Sequence, residues 1–180
     1  MSKDVYRLRV IYEKMGISKY ISSKNLLRHI ERCLRRTNLP LKYTEGFNPH
    51  PKLSFGPPLP VYIEGENEIM DIYFDEKINE NEFLKNINQF LVEGVLFKDC
   101  FWIPLENHSL GVITLMAVYK IEKDELDLEK LKELGEINKS ENFFEIIIKI
   151  NGFSHKKLLE IVGNQKRIIR NIIYESNYNR

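Results

Sequence analysis

Arginines at helical spacing are the first residues in this sequence that could do chemistry. Arg28, Arg32 and Arg35 occupy positions i, i+4 and i+7, and Arg36 follows directly. On a helix this spacing puts the first three on one face, as a row of fixed positive charges. Guanidinium groups pair bidentately with phosphate oxygens and stay charged at neutral pH. The row predicts contact with a nucleic-acid backbone or another phosphate, and the alternative is an ordinary solvated face that Glu31 partly neutralises.

A proline-rich loop between residues 43 and 60 offers a second set of reactive groups. It combines aromatic rings that can stack on bases with polar groups that can read base edges and with a cation. Prolines on both sides of His50 stiffen the loop, and a preorganised loop binds at a lower entropic cost. The loop therefore predicts a binding or catalytic segment, and the competing interpretation is a proline-braced connection whose rings fill the core.

Charge is distributed unevenly along the chain. Residues 1–60 hold 12 Lys/Arg against 4 Asp/Glu, whereas the whole chain has a net charge of only +1. A basic first third on a nearly neutral protein predicts a localised anionic partner. The predicted nucleic-acid-binding residues are Arg28, Arg32, Arg35, Arg36, Lys42, Phe47, Asn48, His50, Lys52 and Ser54.

Several site types lack their sequence signatures. Cys33 and Cys100 are isolated, and the four histidines have no short spacing, so neither a metal site nor any other cofactor is predicted. The sequence contains no phosphate-cradling Gly-x-x-x-x-Gly-Lys and no dinucleotide-binding Gly-x-Gly-x-x-Gly. The sequence shows neither a signal peptide nor a membrane-spanning apolar run, so we expect a cytoplasmic protein without membrane contact.

Hydrophobic periodicity predicts the elements that must position these groups. In chain order they are a strand at 5–14, a helix at 24–37 capped by Ser22 or Ser23, a short strand at 52–55, a hairpin of strands 61–63 and 69–75 turning near 64–67, a helix with Asn79 or Asn81 as its cap, and a strand at 95–102. This β-α-β-β-α-β order is typical of a ferredoxin-like lobe. The turn assignment makes Glu64, Glu66 and Glu68 a solvated hairpin tip.

A second, incomplete lobe of similar type is predicted after the first. Its elements are a strand at 112–121, a helix at 126–134, a strand at 143–150, a helix at 155–162 and a final segment at 167–175 that suits a strand better than a helix. The predicted fold class is α+β, with a basic lobe at 1–105 that carries the loop and a smaller α+β lobe at 106–180.

The distinctive sequence motifs all lie between Tyr20 and Asp71. They are Tyr20-Ile21-Ser22, the four arginines, Leu39-Pro40, Gly46-Phe47-Asn48-Pro49-His50-Pro51-Lys52-Leu53-Ser54-Phe55, and Pro58-Leu59-Pro60. In these motifs the chain resembles the radical-SAM-linked family, whose members have no established activity. They occur as free proteins or as extensions of radical S-adenosylmethionine enzymes. Two places depart from the family pattern. Ser22-Ser23-Lys24-Asn25 replaces the usual Ser-His-Leu-Asp, and Val61 and Tyr62 replace the glycine that follows Pro-Leu-Pro.

The resemblance implies an accessory role, because the chain lacks the Cys-x-x-x-Cys-x-x-Cys that holds the cluster of a radical SAM enzyme. Our first hypothesis is a module that binds RNA and presents it to such an enzyme. The second is a metal-independent RNA endonuclease, like the CRISPR repeat-processing proteins, with His50 as general acid or base and Lys52 stabilising the transition state. The third is a protein-docking module for the enzyme, with an acidic second lobe. The sequence predicts no oligomeric state.

Overall fold

In the residues that the structure describes, a mixed sheet of eight strands with five helices forms the framework of the protein. The structure is a computed structural model that describes residues 5–113, 116–123, 126–163 and 165–173. The predicted α+β class is confirmed. Within the described residues, no helix has the length and apolar character needed to cross a bilayer.

The first lobe is built from four strands and two helices. They are β1 (Tyr6–Lys14), α1 (Ser23–Arg35), β2 (Leu53–Phe55), β3 (Ile63–Phe74), α2 (Glu80–Ile87) and β4 (Val95–Ile103). The strands lie in the order β4-β1-β3-β2, and each neighbouring pair is antiparallel. A 3₁₀ turn at Gly16–Tyr20 connects β1 to α1.

The second lobe repeats this order of elements. After the short α3 (Leu110–Ile113) come β5 (Met116–Glu122), α4 (Leu128–Lys132), β6 (Ile137–Lys139), β7 (Phe143–Lys149), α5 (His155–Val162) and β8 (Ile168–Ile173). Its strands lie in the order β8-β5-β7-β6, again with antiparallel neighbours. A parallel pairing of β8 with the first half of β3 joins the two lobes into one sheet.

Each lobe has its own apolar core on the helical side of the sheet. In the first lobe, alternate residues of β1, such as Leu8 and Val10, pack against Leu26 and Ile30 of α1. In the second lobe, isoleucines of β7 and β8 pack against α4 and α5. A smaller cluster on the other side of the first lobe places α3 against β1 and β3. The two-residue period of the strands and the helical stripe of α1 thus form the cores that the sequence pattern predicts.

The predicted hairpin at 61–75 is wrong, because residues 63–74 form one continuous strand. The stretch that was interpreted as a turn carries a bulge in its pairing with β8, between Gly65 and Asn67. Glu64 and Glu68 are buried there and pair with Arg167 and Arg170, which follow about a hundred residues later. The carboxylates are therefore part of the junction between the lobes and not a solvated hairpin tip.

Three predicted boundaries in the second lobe need correction. The strand predicted at 112–121 begins at Met116, because the chain is helical up to Ile113. The helix predicted at 126–134 is confined to Leu128–Lys132, and the strand β6 was not predicted. The strand preference for the last segment is confirmed over Ile168–Ile173, and its predicted continuation to residue 175 lies outside the described residues. The division at residues 105 and 106 stays a prediction.

Candidate nucleic-acid interface

Helix α1 carries the predicted arginine row. The Ser22 hydroxyl accepts a hydrogen bond from the Asn25 amide at 3.3 Å, which satisfies one of the unpaired amides of the first turn. Leu26, Ile30, Cys33 and Leu34 form the buried stripe of the helix. Because this stripe faces the sheet, the guanidinium groups at 28, 32 and 35 project into solvent, and all three residues are exposed.

The proline-rich loop is fastened at its base and open at its tip. Tyr43 and Pro51 form an isolated β-bridge, the Thr44 amide donates to the His50 carbonyl at 2.8 Å, and the His50 amide donates to the Thr44 hydroxyl at 3.1 Å. Gly46 at the tip has φ +126°, a conformation that L side chains rarely adopt. The loop is thereby a closed unit that holds residues 44–50 away from the sheet.

The helix and the loop meet in a groove of about 490 Å³, here called the arginine groove. It is lined by Asn25, Arg28, Glu31, Arg32, Arg35 and His50. The structure therefore brings three of the predicted helix residues together with one predicted loop residue. Three arginines face one carboxylate, so the groove has an excess of positive charge.

Arg35 ties the helix to the loop. Its Nη2 donates to the Pro49 carbonyl at 2.9 Å, and its guanidinium carbon lies 5.5 Å from the centroid of the Tyr43 ring. In contrast, within the described part of the chain the side chains of Arg28 and Arg32 form no hydrogen bond and no ion pair. Arg28 and Arg32 thus have all their donors available for a ligand, and Arg35 uses one of its donors to hold the loop.

His50 lies beside a carboxylate in the same groove. Its Nδ1 is 4.0 Å from Oε2 of Glu31, and about half of the imidazole is exposed. Glu31 sits one turn from Arg28 and Arg35 on α1, so the same carboxylate also lowers the positive potential of the groove. A carboxylate next to an imidazole can orient the ring, and an oriented imidazole suits either phosphate binding or proton transfer.

The remaining predicted residues lie around the groove rather than in its wall. The guanidinium carbon of Arg36 lies 4.5 Å from the centroid of the Phe90 ring, and Lys42 pairs with Asp75 at 3.1 Å. Lys52 Nζ lies 4.9 Å from the centroid of the Tyr73 ring, and Ser54 is half-buried in β2. Phe47 and Asn48 are exposed at the loop tip, and Phe47 is as exposed as a free side chain. Arg36, Lys42 and Lys52 thus have partners outside the groove.

Two groove residues were not among the predicted binding residues. Helical spacing already placed Glu31, three positions after Arg28, beside the arginine row, and the same spacing could have placed Asn25, three positions before Arg28. Their side chains give the groove an amide and a carboxylate besides its cations. The spacing signal was available, but neither residue type points to phosphate binding by itself.

The histidine and cysteines on this side of the molecule are used internally. His29 Nε2 accepts a hydrogen bond from the Val92 amide at 2.9 Å, and burial, together with nearby Arg32, lowers the pKa of His29. Cys33 Sγ contacts the Phe90 carbonyl at 3.0 Å, and burial raises the pKa of both Cys33 and Cys100, the latter to about 12. Buried thiols of this kind are poor nucleophiles at neutral pH.

Metal-binding side chains do not converge in the part of the chain that the structure describes. No group of three or more His, Cys, Asp or Glu residues lies close enough there to hold an ion. The side chains that line the arginine groove offer guanidinium, amide, carboxylate and imidazole groups.

A comparison with family models matches residues 7–175 to one family, described as "Uncharacterized protein conserved in bacteria (DUF2344)". A search of curated proteins finds no match. The matched span includes β1, α1, the loop and both lobes up to the last described strand. The chain therefore belongs to the DUF2344 family of uncharacterized bacterial proteins.

Proposed function

We propose that the protein binds RNA through the arginine groove and the exposed tip of the proline-rich loop. The observation that carries this proposal is the convergence of Arg28, Arg32 and Arg35 with His50 in one groove whose free guanidinium groups outnumber its single carboxylate. Arg28 and Arg35 are seven residues apart, a distance of about 10 Å along the helix axis. Such a row can contact successive phosphates of one strand.

The loop tip supplies the contact with bases. Phe47 is fully exposed beside Asn48, on a loop whose base is closed by the Thr44 and His50 hydrogen bonds. An exposed ring on a braced loop is a stacking platform, and stacking contributes about 1–3 kcal/mol per base. Stacking needs an unpaired base, so the proposal favours single-stranded RNA or a loop over a continuous duplex.

The presentation of this RNA to a radical SAM enzyme is part of the same proposal. It is supported by the resemblance to the radical-SAM-linked family, which rests on the Gly46–Phe55 motif and on the positions of the arginines. The accessory role predicts that the protein and a radical SAM enzyme copurify, and that added RNA strengthens the complex. A complex that is equally stable after ribonuclease treatment would instead favour a docking module.

A salt titration of RNA binding tests the groove. We would measure the fluorescence anisotropy of a labelled single-stranded RNA of about 12 nucleotides. The salt concentration would run from about 50 to about 200 mM, a range over which binding through phosphate contacts weakens strongly. For Arg28→Ala/Arg32→Ala/Arg35→Ala we expect weaker binding at every salt concentration. The slope of log K against log salt should also become shallower by about 2, since each lost phosphate contact removes about 0.7.

A matched triple variant controls for net charge. Lys130, Lys132 and Lys156 are exposed cations on α4 and α5 of the second lobe, so replacing all three by alanine removes the same charge far from the groove. We expect this variant to retain the affinity and salt slope of the wild type to within about twofold. Absent or salt-insensitive binding by the wild type, or equal losses in the two variants, would contradict the proposal.

The Glu31–His50 contact favours a second candidate function, RNA cleavage without a metal. An imidazole next to a carboxylate, in a groove that holds phosphates, can transfer a proton to or from a ribose hydroxyl or a leaving oxygen. Lys52, the predicted transition-state cation, is stacked on Tyr73, so stabilisation of the charged phosphate falls to the free guanidinium groups of Arg28 and Arg32.

Cleavage and binding can be separated at His50. His50→Ala should abolish cleavage of the bound RNA and leave the anisotropy titration within about threefold of the wild type. The readout is the appearance of shorter products on a denaturing gel in the presence of a chelator. Products formed equally by His50→Ala, or no products from any bound RNA, would leave binding as the function.

A further inference from the structure

An apolar pocket of about 230 Å³ lies on the same helix as the arginine groove. Leu26 and Leu27 of α1 form one wall, Tyr12 of β1 lies at its inner end, and the chain from Phe55 to Leu59 forms the opposite wall. Lys24 and Pro58 at its rim are exposed, so the pocket reaches the surface. No predicted binding residue lines this pocket.

The pocket and the groove are neighbours along one turn of helix. Lys24 and Leu27 line the pocket, while Asn25 and Arg28 line the groove. The proline-rich segment forms the other wall of both sites. His50 contributes that wall in the groove, and residues 55–59 contribute it in the pocket. A flexible chain with its phosphates along the arginines therefore places its next nucleotide at the mouth of the pocket.

We infer that the apolar pocket receives one unstacked nucleobase of the RNA strand held in the arginine groove. This inference rests on the proposed function and adds the substrate class, which is single-stranded RNA with one base turned out of its stack. The occupant is an aromatic base because the walls are apolar side chains and prolines with the Phe55 ring, a lining on which any base can stack.

The dimensions and polar groups of the pocket fit a flat heterocycle. An apolar cavity of about 150 Å³ accommodates a benzene ring, so a pocket of about 230 Å³ has room for one or two fused rings. Tyr12 lines the pocket and is buried, and burial, followed by the charge of Glu68, raises the pKa of its hydroxyl, which therefore stays protonated. The Ser23 hydroxyl already donates to the Leu59 carbonyl at 2.7 Å, which fixes the wall.

Filling the pocket tests the inference without altering the charges of the groove. Leu27→Trp places an indole in the pocket, and Leu105→Trp places the same bulk at an exposed position that lines neither site. We would compare their anisotropy titrations with a 12-nucleotide single-stranded RNA and with a blunt RNA duplex of the same length. Leu27→Trp should weaken binding of the single strand at least tenfold and leave duplex binding and the salt slope unchanged. Leu105→Trp should change neither affinity by more than twofold.

A second variant and a direct probe test the pocket independently, in case Leu27→Trp does not fold. Pro58→Trp blocks the rim of the pocket from an exposed position and keeps the backbone carbonyl that Arg170 contacts. The probe is a single-stranded RNA that contains one 2-aminopurine, whose fluorescence changes when the base leaves its stack. We expect this change with the wild type and its loss with Pro58→Trp.

The outcomes separate this inference from the proposed function. Wild-type affinity for the single strand in both Leu27→Trp and Pro58→Trp, with binding still lost in the triple arginine variant, would overturn the base pocket alone. An equal loss of single-strand and duplex binding in both Leu27→Trp and Pro58→Trp would also overturn it. If the wild type binds neither RNA at low salt, the proposed function fails and the pocket assignment fails with it.

Discussion

Two pairs of arginines in this protein lie in opposite environments. Arg9 and Arg170 are buried in the sheet, and each forms a two-pronged pair, Arg9 with Asp71 at 2.8 and 3.0 Å and Arg170 with Glu68 at 2.9 and 2.5 Å. Arg28 and Arg32 are exposed on α1 and form no ion pair within the described residues. The sheet pairs Arg9 and Arg170 each with a buried carboxylate, whereas the groove has left its cations in excess.

This difference separates structural charge from charge that is available to a ligand. Arg170 also donates to the carbonyls of Pro57 and Pro58, so the junction between the lobes satisfies nearly all donors of its guanidinium group. The same contacts hold the wall of the apolar pocket against β8. Because Arg9 and Arg170 are paired in the buried sheet, loss of a partner there should lower the stability strongly. Replacement of the exposed groove arginines should change the stability little, and the proposed binding would be lost with them.

Removing a buried carboxylate should have the largest effect. Glu68→Ala leaves the guanidinium group of Arg170 buried without its partner, and we expect the free energy of unfolding to fall by about 3–5 kcal/mol. Glu66→Ala on the same strand is the matched control. Glu66 is partly exposed and pairs with Lys120 at 2.9 Å, so its loss should cost less than about 1 kcal/mol. Urea denaturation measures the free energy of unfolding of both variants. Similar losses for Glu66→Ala and Glu68→Ala would contradict the difference between buried and exposed pairs.

Exchanging arginine for lysine should lower the stability by an intermediate amount in the buried region and hardly at all in the exposed one. Arg9→Lys keeps the charge but loses one of two hydrogen bonds to buried Asp71, and we expect a loss of about 1–3 kcal/mol. Arg32→Lys on the exposed face should change the stability by no more than about 0.5 kcal/mol. Urea denaturation of the two variants tests this, and a destabilised Arg32→Lys would show that the exposed row has a structural partner.

The sequence predicted the groove better than the junction, for a physical reason. The arginine row, its helix and the Ser22 cap depend on spacings of a few residues, so helical periodicity was enough to find them. Glu64 and Glu68 look solvated in the sequence because their partners, Arg167 and Arg170, lie in a strand about a hundred residues away. Parallel pairing of β3 with β8 creates this match, and no local pattern encodes it.

The apolar pocket was missed for a similar reason. Its walls come from β1, α1 and the chain at 55–59, three segments that are brought together only by the sheet order. The proline-rich loop was correctly recognised as a structured segment, but which of its residues enter the groove depends on the Arg35–Pro49 contact. His50 enters the groove, while Lys52 stacks on Tyr73 one strand away.

Acid should weaken the second lobe through His155. Its Nε2 lies 2.6 Å from the Tyr119 hydroxyl, and burial, together with the charge of Arg170, lowers the pKa of His155 to about 4. The unfolded chain binds a proton near pH 6.5 and the folded chain does not, so stability falls as the pH drops from about 6.5 to 4. One proton per chain limits the slope from this group to about 1.4 kcal/mol per pH unit, and solvent screening of the half-buried ring makes it shallower.

Replacing His155 isolates this contribution from those of the carboxylates. His155→Gln keeps an acceptor for the Tyr119 hydroxyl but cannot bind a proton, so its stability should depend less steeply on pH between about 6.5 and 4. Urea denaturation at several pH values measures both slopes. Parallel pH profiles for the two proteins would show that His155 is protonated in the folded state as readily as in the unfolded chain.

Neutralising the one carboxylate of the groove should have the smallest effect and the opposite sign. Glu31→Gln removes a negative charge that competes with phosphates for the arginines, so we expect RNA binding about two- to fivefold tighter at low salt, a gain that fades as salt screens the site. Glu82→Gln, on the exposed face of α2, makes the same change of charge away from the groove and should leave the affinity unchanged. Anisotropy titrations at two salt concentrations measure the difference. Weaker binding by Glu31→Gln would mean that the carboxylate holds His50 or an arginine in its binding position, and the groove would then resemble the buried pairs of the sheet more than an open cationic surface.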